Sequence, residues 1–221
     1  MGIRIAAIFL ALLLSVPAFS KDFSGTFFDG DHAFRKFSMG AMIGLGPSLL
    51  NGAEDIYGEK QTVAVSLNFR MAFPISKRLA VVTDLGFDYL SQGIGSKYSY
   101  LHRTVRDTIK VSSIEVTASL NISFAEHFFI RLGPSVRFPD FDETVSVDEV
   151  VVFNGDPEYA RSVWLDAVAA LGAKSGSAEF ALRGSYEFLG FYKETPKYRN
   201  ANIHEVRLRF CFSYWFGQRS N

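Results

Sequence analysis

The side chains that most often carry out catalysis are few in this sequence and form no recognisable set. The four histidines and the one cysteine are His32, His102, His127, His204 and Cys211. His204 is followed by Glu205, but no serine lies close to it in the sequence to complete a nucleophile–base pair. Motifs for nucleotide binding or metal binding are absent. We therefore expect no catalytic residues, no metal site and no cofactor.

The charged residues are balanced in number, which argues against a nucleic-acid partner. The sequence has 23 Lys and Arg against 23 Asp and Glu, whereas proteins that bind nucleic acid usually carry a basic surplus. Cys211 is the only cysteine, so the chain forms no internal disulfide.

Charged residues occupy alternate positions in residues 203–216. Glu205, Arg207 and Arg209 are each separated by one apolar residue, and aromatic residues continue the alternation to Phe216. A strand directs successive side chains to opposite faces, so this segment has one apolar face and one charged face. A strand of a soluble sheet can show the same pattern, so the interpretation depends on whether the pattern recurs.

The same alternation recurs in seven further segments. They are residues 37–50, 62–73, 79–90, 113–124, 128–138, 162–173 and 178–189. The connections between the segments are alternately long and short. Residues 45–48 and 132–135 both read Leu-Gly-Pro-Ser. Because proline cannot donate a ladder hydrogen bond, we expect both fragments near a rim or a bulge.

The N-terminus carries a predicted export signal. Residues 1–20 combine an early positive charge at Arg4, an apolar run and small residues at its end. The apolar run is shorter than the roughly 20 residues that a membrane-spanning helix needs. We expect residues 21–36 to form a lead-in, residues 37–216 to form the folded domain and residues 217–221 to form a short tail.

Three features favour an outer-membrane barrel over a soluble sheet protein. The signal exports the chain, the connections have the long–short rhythm of outer-membrane barrels, and aromatic residues recur at both ends of the apolar faces. These are Phe69, Phe73, Phe124, Phe128, Phe180, Tyr214 and Phe216 near the short turns and Tyr89, Phe138, Tyr186 and Phe188 near the long loops. The sequence predicts an all-β fold, an eight-stranded antiparallel up-and-down transmembrane β-barrel with short periplasmic turns and longer outer loops.

The aromatic end of the chain, residues 210–216, together with the alternation and the loop rhythm, resembles the small OmpA/OmpX-like outer-membrane barrels. The resemblance covers residues 37–216. It departs at residues 217–221, because the family usually ends on the aromatic residue. The resemblance implies the outer membrane of a Gram-negative-type envelope, contact with outer-membrane lipid and handling by the barrel-assembly machinery. It implies no particular activity.

Charged residues that point into the barrel are expected to pair, because an unpaired buried charge is costly. The predicted contacts are Arg137 between Glu115 and Asp166, Glu187 with Arg207, and Arg70 with Asp84. An eight-stranded interior is just wide enough for side chains to fill. The sequence therefore predicts a closed lumen.

We interpret the chain as a membrane anchor with a plugged polar interior that displays surface loops, and two alternatives stay open. Residues 91–110 and 139–161 contain alternating runs that could extend strands past the membrane and bind an extracellular protein. Some barrels of this size are lipid A-modifying enzymes with a His and a Ser near the outer rim. His204 with Ser91 or Ser162 is the candidate set, but the polar inner faces argue against the cavity that such an enzyme needs.

Overall fold

The computed structural model describes residues 34, 36–51, 61–76, 78–90, 94–100, 103–124, 127–155, 161–190 and 204–216. The predicted signal, the lead-in except Phe34 and Lys36, and the predicted tail lie outside these residues. Within the described ranges, no helix is long and apolar enough to cross a membrane.

Ten β-strands follow one another in the described parts of the chain. They are β1 (Ser38–Asn51), β2 (Gln61–Pro74), β3 (Leu79–Leu90), β4 (Ile94–Tyr100), β5 (Arg103–Ser123), β6 (Phe128–Val147), β7 (Val150–Gly155), β8 (Trp164–Ser175), β9 (Ala178–Glu187) and β10 (His204–Phe216). The predicted strands at 113–124 and 128–138 belong to the longer β5 and β6. β4 and β7 lie within the segments predicted as long loops.

Eight of these strands close into a barrel. The order across the sheet is β4-β5-β3-β2-β1-β10-β9-β8-β6-β7, and an additional pairing of β5 with β6 closes the ring. Every strand pair in the ring is antiparallel. The ring contains β1, β2, β3, β5, β6, β8, β9 and β10. The predicted eight-stranded antiparallel up-and-down barrel is therefore confirmed.

β5 and β6 extend beyond the barrel wall, and β4 and β7 pair with these extensions as part of the same sheet. β3 pairs with β5 as far as Ser112, and β8 pairs with β6 as far as Arg137. Past these points β4 lies beside β5 from Ile109 outward, and β7 lies beside β6 from Glu143 outward. We call β4, β7 and the adjoining parts of β5 and β6 the outer sheet. At about 3.3 Å per residue, β5 runs roughly 30 Å past the wall.

The two faces of the barrel wall are the reverse of those in a soluble sheet. In β10, Glu205, Arg207 and Arg209 are 3 % exposed or less, whereas Leu208 and Phe210 are 42 % and 71 % exposed. The charged face predicted from alternation therefore points into the barrel, and the apolar face points out of it.

Both Leu-Gly-Pro-Ser fragments lie inside strands without a bulge and close to the outer rim of the wall. Pro47 is two residues from the end of the β1–β2 pairing, and Pro134 is three residues from the end of the β6–β8 pairing. Pairing is interrupted on one side of each fragment, with β10 at the first and with β5 at the second, and it resumes in the same register. A Cβ atom at Gly46 would lie 1.9 Å from the carbonyl oxygen of Leu208, and one at Gly133 would lie 2.1 Å from that of Ala118. Proline lacks the N–H that the ladder needs, and the glycine allows the two backbones to approach closely where pairing is lost.

Phe34 packs against the end of the barrel that carries the short turns. Its side chain is 1 % exposed and meets Trp215 edge-on, with 4.5 Å between the ring centroids. Ala72, Ala80 and Val82 complete this buried apolar cluster. The lead-in is thus held to the barrel at Phe34.

The tip of the β6–β7 hairpin has a backbone conformation that side chains disfavour. Asp148 and Glu149 have φ angles of 49° and 72°, the pair of positive values that a type I′ turn requires. Glycine adopts such angles without a steric cost. We expect Glu149→Gly to stabilise the outer sheet by about 1 kcal/mol. Slower amide hydrogen exchange in β6 and β7 would show this effect.

The matched control for the hairpin tip is Asp142→Gly. Asp142 is exposed in β6 and has no positive φ, so glycine there should weaken the strand and speed exchange. If both substitutions changed exchange in the same direction, the turn conformation would not be the cause.

Candidate functional site

Charged side chains fill the interior of the barrel. Among the described residues, six arginines and seven carboxylates are buried. They are Arg70, Arg131, Arg137, Arg183, Arg207 and Arg209, with Asp84, Asp88, Glu115, Asp166, Glu179, Glu187 and Glu205. A buried charge is tolerated when it is paired and hydrogen-bonded. The contacts among these groups therefore determine whether the lumen is closed by ion pairs or holds free charges that could bind a ligand or conduct ions.

Glu179 is the centre of the ion pairs nearest the short turns. One of its carboxylate oxygens accepts hydrogen bonds from Arg70 Nη1 at 2.7 Å and from Arg131 Nη1 at 3.0 Å. The other accepts from Arg131 Nη2 at 3.1 Å and from the Trp215 indole N–H at 3.0 Å. Arg70 also donates from Nε to Asp84 at 2.8 Å. These contacts join β2 and β6 to β9 across the lumen.

Arg183 and Arg209 link the middle of the lumen. Arg183 donates from Nη1 to Asp84 at 3.0 Å and from Nη2 to Glu115 at 2.5 Å. Arg209 donates to the other Glu115 oxygen at 3.3 Å and to Asp88 at 2.5 Å. Both carboxylate oxygens of Glu115 are thus in contact with a guanidinium group.

Arg137 and Arg207 hold the end of the lumen nearest the outer sheet. Arg137 donates from Nε and Nη2 to the two oxygens of Asp166, at 2.6 and 2.8 Å, and from Nη1 to Glu205 at 2.6 Å. The first contact has the bidentate geometry of strong arginine–carboxylate pairs. Arg207 donates to Asp88 and, at 3.4 Å, to Asp166.

These contacts form one continuous chain of alternating charge, which we call the ion-pair column. From the turn end its members are Arg131, Glu179, Arg70, Asp84, Arg183, Glu115, Arg209, Asp88, Arg207, Asp166, Arg137 and Glu205. Beside the column, a cavity lined in part by Met42 and Cys211 has a volume of about 10 Å³. That is the space of about one water molecule. The side chains of the column are buried within the lumen from its turn end to the end nearest the outer sheet.

The structure brings together two of the predicted pairs. Arg70 contacts Asp84, its direct partner across β2 and β3. Arg137 contacts Asp166 of β8, which lies opposite Ser135, two residues before Arg137 in β6. In both cases the partners are on neighbouring strands of the wall, where inward parity alone indicates proximity.

Glu115 does not join the predicted cluster with Arg137. The two residues are opposite each other in the register of β5 and β6. Glu115 nevertheless pairs with Arg183 and Arg209, which reach it from the other side of the lumen. Counting along neighbouring strands considers only pairs within the wall, whereas in a barrel this narrow a long arginine side chain spans the interior.

Glu187 does not pair with Arg207, so the second predicted pair is also corrected. Its carboxylate accepts hydrogen bonds from the backbone N–H groups of Leu189 at 2.6 Å and Gly190 at 3.0 Å. It also lies 3.6 Å from Nδ1 of His204. Glu187 thus caps the backbone where β9 ends, and this local role removes it from the column.

Six members of the column were not predicted as site residues. They are Asp88, Arg131, Glu179, Arg183, Glu205 and Arg209. All six have inward parity in the sequence, so the signal that they are interior residues was available. Their ion-pair partners could not be predicted from the sequence. Because the strands are tilted and staggered, two residues that are equally far from a turn in the sequence can lie at different heights in the barrel.

The histidines do not assemble a catalytic set in the described structure. The His204 ring stacks on Tyr186 with 5.5 Å between centroids, and its Nδ1 lies 3.0 Å from the backbone oxygen of Glu187. His32, His102 and the candidate serine Ser91 lie outside the described residues. Within the described part of the chain, no group of three or more His, Cys, Asp or Glu side chains could hold a metal ion.

We expect the wild-type barrel to show negligible conductance in planar lipid bilayers. The ion-pair column occupies the lumen, and its charges neutralise one another instead of facing an aqueous path. Single-channel recording of the purified, reconstituted protein is the measurement. A stable open-channel current would show that water and ions pass the column.

The geometry defines a class of protein: a closed, eight-stranded antiparallel barrel with an apolar outer face and an ion-paired interior. No family model and no curated protein matches the sequence. The predicted resemblance to the small OmpA/OmpX-like barrels is confirmed at the level of this architecture.

Solved structures of similar fold include bacterial outer-membrane proteins. Ail, the attachment invasion locus protein of Yersinia pestis, is 14% identical with a TM-score of 0.49, over 82% of this chain and 99% of that chain. Neisserial surface protein A is 12% identical with a TM-score of 0.46, over 80% and 96%. OprG of Pseudomonas aeruginosa is 14% identical with a TM-score of 0.38, over 86% and 99%. The strand pairing of this chain itself establishes the barrel.

Proposed function

We propose that the chain is an integral outer-membrane protein whose plugged barrel anchors the outer sheet at the cell surface. The observation that carries the proposal is the inversion of the wall: charges are inside and large apolar side chains are outside. Leu67, Leu85, Ile114, Leu132 and Leu171 are each at least 50 % exposed. A soluble monomer rarely exposes so extensive an apolar surface, whereas lipid tails cover it favourably.

Closure of the wall supports the same proposal. In a bilayer each backbone N–H and C=O must be paired within the protein, so a spanning sheet needs a ring without free edges. The pairing of β5 with β6 completes that ring. The free strand edges of the described structure are those of β4 and β7, which lie past the wall.

Aromatic side chains mark both ends of the apolar surface, as interfacial girdles do. The exposed ones are Phe69, Phe124, Phe128, Phe180, Tyr214 and Phe216 toward the short turns and Tyr89, Tyr186 and Phe188 toward the outer sheet. Two predicted members depart from this pattern. Phe73 is 4 % exposed because it packs against Phe37 at 5.1 Å, and Phe138 is half-buried.

The proposal places the short turns in the periplasm and the outer sheet outside the cell. It requires export, outer-membrane lipid around the wall, and insertion by the barrel-assembly machinery, for which the aromatic end of β10 is the candidate signal. Tyr214 and Phe216 at that end are each 50 % exposed. Display of the outer sheet then becomes the role of the barrel.

Leu120→Arg tests whether the wall faces lipid. Leu120 is 40 % exposed on the outward face of β5, three residues before the strand ends at Ser123. An outward-facing arginine costs about 2–4 kcal/mol at the bilayer midplane and less toward an interface, so Leu120→Arg should destabilise the barrel in lipid vesicles. Urea unfolding of the reconstituted protein measures the change.

Ser119→Arg is the matched control for the lipid-facing position. Ser119 is 3 % exposed and donates a hydrogen bond to the Val82 carbonyl at 3.0 Å, so its replacement reports on interior packing. A lipid-soluble quencher should reach a probe at position 120 and not at 119. The opposite result would reverse the faces of the wall, because a one-residue slip exchanges them.

β7 favours a second function, the binding of a surface partner by strand addition. Val150, Val151 and Val152 are 65 %, 58 % and 60 % exposed. β7 is at one end of the strand order, where its described pairing is with β6. An open edge with exposed valines offers both backbone hydrogen bonds and apolar contacts to an extended segment of another protein.

Two matched deletions separate binding from display alone. Removing residues 143–155 eliminates the β7 edge, and removing residues 94–109 eliminates the β4 edge while keeping the barrel. A purified surface partner retained by the wild type and by the 94–109 deletion, and lost by the 143–155 deletion, would support binding at β7. Equal retention by all three proteins would leave β7 without this role.

A further inference from the structure

An open groove crosses the outer face of the wall in the half nearer the outer sheet. It has a volume of about 880 Å³ and spans β6, β8, β9 and β10, reaching β1 at one end. Its floor is formed by Ala167, Ala169 and Gly184, and the outward-facing side chains around them are apolar or aromatic. Asp166, Ser185 and Arg207 also line it, but their side chains are buried inside the barrel. We call this surface the lateral groove.

The lateral groove exists because one cross-strand row has small residues between two large ones. On adjacent strands the row reads Leu132, Ala169, Gly184 and Leu208. The next row toward the short turns reads Ile130, Leu171, Leu182 and Phe210, all large and exposed. With strands about 4.8 Å apart, the two leucines of the first row stand about 14 Å apart and bound the groove on both sides.

The fold itself does not require a glycine at position 184. A Cβ atom there would have its nearest neighbours at 3.9 and 4.0 Å, the Arg207 and Ala169 carbonyl oxygens, and the φ angle is not positive. Gly46 and Gly133 differ, because a Cβ atom at either would collide with the backbone of a neighbouring strand. The absence of a side chain at Gly184 therefore leaves space on the outside of the barrel. No contact between strands of the barrel requires a glycine at this position.

We propose that the lateral groove binds one acyl chain of a lipid in the outer leaflet of the membrane. The inference rests on the proposed membrane function, since the wall then faces hydrocarbon. An empty groove would deprive its lining of dispersion contacts, and water would find few hydrogen-bond partners among alanine, glycine and leucine side chains. A flexible apolar chain that lies along the floor, between Leu132 and Leu208, supplies the dispersion contacts and replaces the poorly hydrogen-bonded water.

The shape of the groove favours a lipid chain over a second copy of the barrel. A twofold interface brings the same patch of two subunits face to face. Two concave patches that face each other would leave a void over Ala169 and Gly184. Close packing there would need a group that projects from the second copy into the groove. A single chain fills a concave surface without that mismatch.

Photochemical labelling in vesicles tests the proposal. The full-length barrel is reconstituted into phosphatidylethanolamine vesicles that contain phosphatidylcholine with a photoactivatable diazirine on one acyl chain, irradiated, digested and mapped. We expect labelling of β8 and β9 to exceed that of the other wall strands several-fold. In the double variant Ala169→Leu/Gly184→Leu it should fall to their level.

The control is Ala41→Leu, which makes the same kind of change on the outward face of β1 between Phe69 and Tyr214. It should leave the labelling of β8 and β9 unchanged. The heat-dependent shift in gel mobility verifies that each variant has folded, and a Cβ atom at Gly184 would lie no closer than 3.9 Å to an atom of a neighbouring strand.

The possible results separate this inference from the function on which it rests. Labelling spread in proportion to exposed area, or unchanged by the double variant, would overturn the acyl-chain site and leave the membrane barrel intact. A parallel reaction with a protein–protein cross-linker that gave dimers joined through β9, in the absence of lipid labelling, would assign the groove to a second copy and also overturn the site. Absence of labelling from every wall strand would overturn membrane placement itself.

Discussion

Replacing Glu179 with glutamine is expected to destabilise the barrel by about 3–5 kcal/mol. Among the described residues, Glu179 is the one carboxylate that contacts Arg131, and it shares Arg70 with Asp84. Glutamine keeps the size of the side chain and loses the charge. Arg131 would then keep Asn121 as a neutral hydrogen-bond partner at 2.9 Å and remain buried without a counter-ion. Urea unfolding of the reconstituted protein, followed by gel mobility, measures the loss.

Two further variants make the Glu179 result specific to charge burial. Glu149→Gln makes the same chemical change at the exposed hairpin tip and should alter stability little. Adding Arg131→Met to Glu179→Gln removes the unpaired cation and should recover much of the loss, because apolar groups can replace a buried ion pair. A loss below about 1 kcal/mol for Glu179→Gln would indicate that water reaches this end of the column.

Arg137→Ala is expected to cost a similar amount, about 3–5 kcal/mol. It removes the bidentate contact with Asp166 and the contact with Glu205, so two buried carboxylates lose a partner at once. It also removes the guanidinium group that lies 4.5 Å from the centre of the Trp164 ring. The same unfolding measurement applies, with Trp164 fluorescence as a local signal.

A double-mutant cycle isolates the pair from the rest of the column. Arg137→Ala and Asp166→Ala should be less destabilising together than the sum of their separate effects, with a coupling of about 0.5–3 kcal/mol. The bidentate geometry predicts that Arg137→Lys will not restore the coupling, since lysine presents a point charge and no fork. Additive effects of the two alanine substitutions would mean that the pair contributes little and that solvent screens it.

The wall could be predicted from the sequence because alternation is a local property. The faces of β10 follow from Glu205, Arg207 and Arg209 without knowledge of any other strand, and the structure buries all three. Arg70 and Asp84 could be paired for the same reason, since they are inward residues near a short turn between consecutive strands.

Contacts across the lumen could not be predicted in this way. The partners Arg183 and Glu115, and likewise Arg209 and Asp88, are far apart in the sequence and on strands that do not adjoin. Their meeting depends on strand tilt and stagger, which alternation does not encode. The outer sheet could be predicted only in part from the sequence, for a related reason. The alternating runs in the long loops indicated strands, but the continuous pairing of β5 with β6 out to Val147 is a tertiary property.

The ion-pair column also constrains how the barrel can assemble. Its arginines and carboxylates come from every wall strand except β1, which contributes the Ser48 hydroxyl that donates to Glu205 at 2.6 Å. An incomplete sheet of a few strands would therefore carry charged side chains whose ion-pair partners are on strands that have not yet joined it. Each of these side chains would remain hydrated. Most links span the ring, so they form only when the ring is nearly complete. Loss of water from the lumen and pairing of the last two wall strands should thus occur as one cooperative event. Every earlier folding intermediate should contain water between its charged side chains.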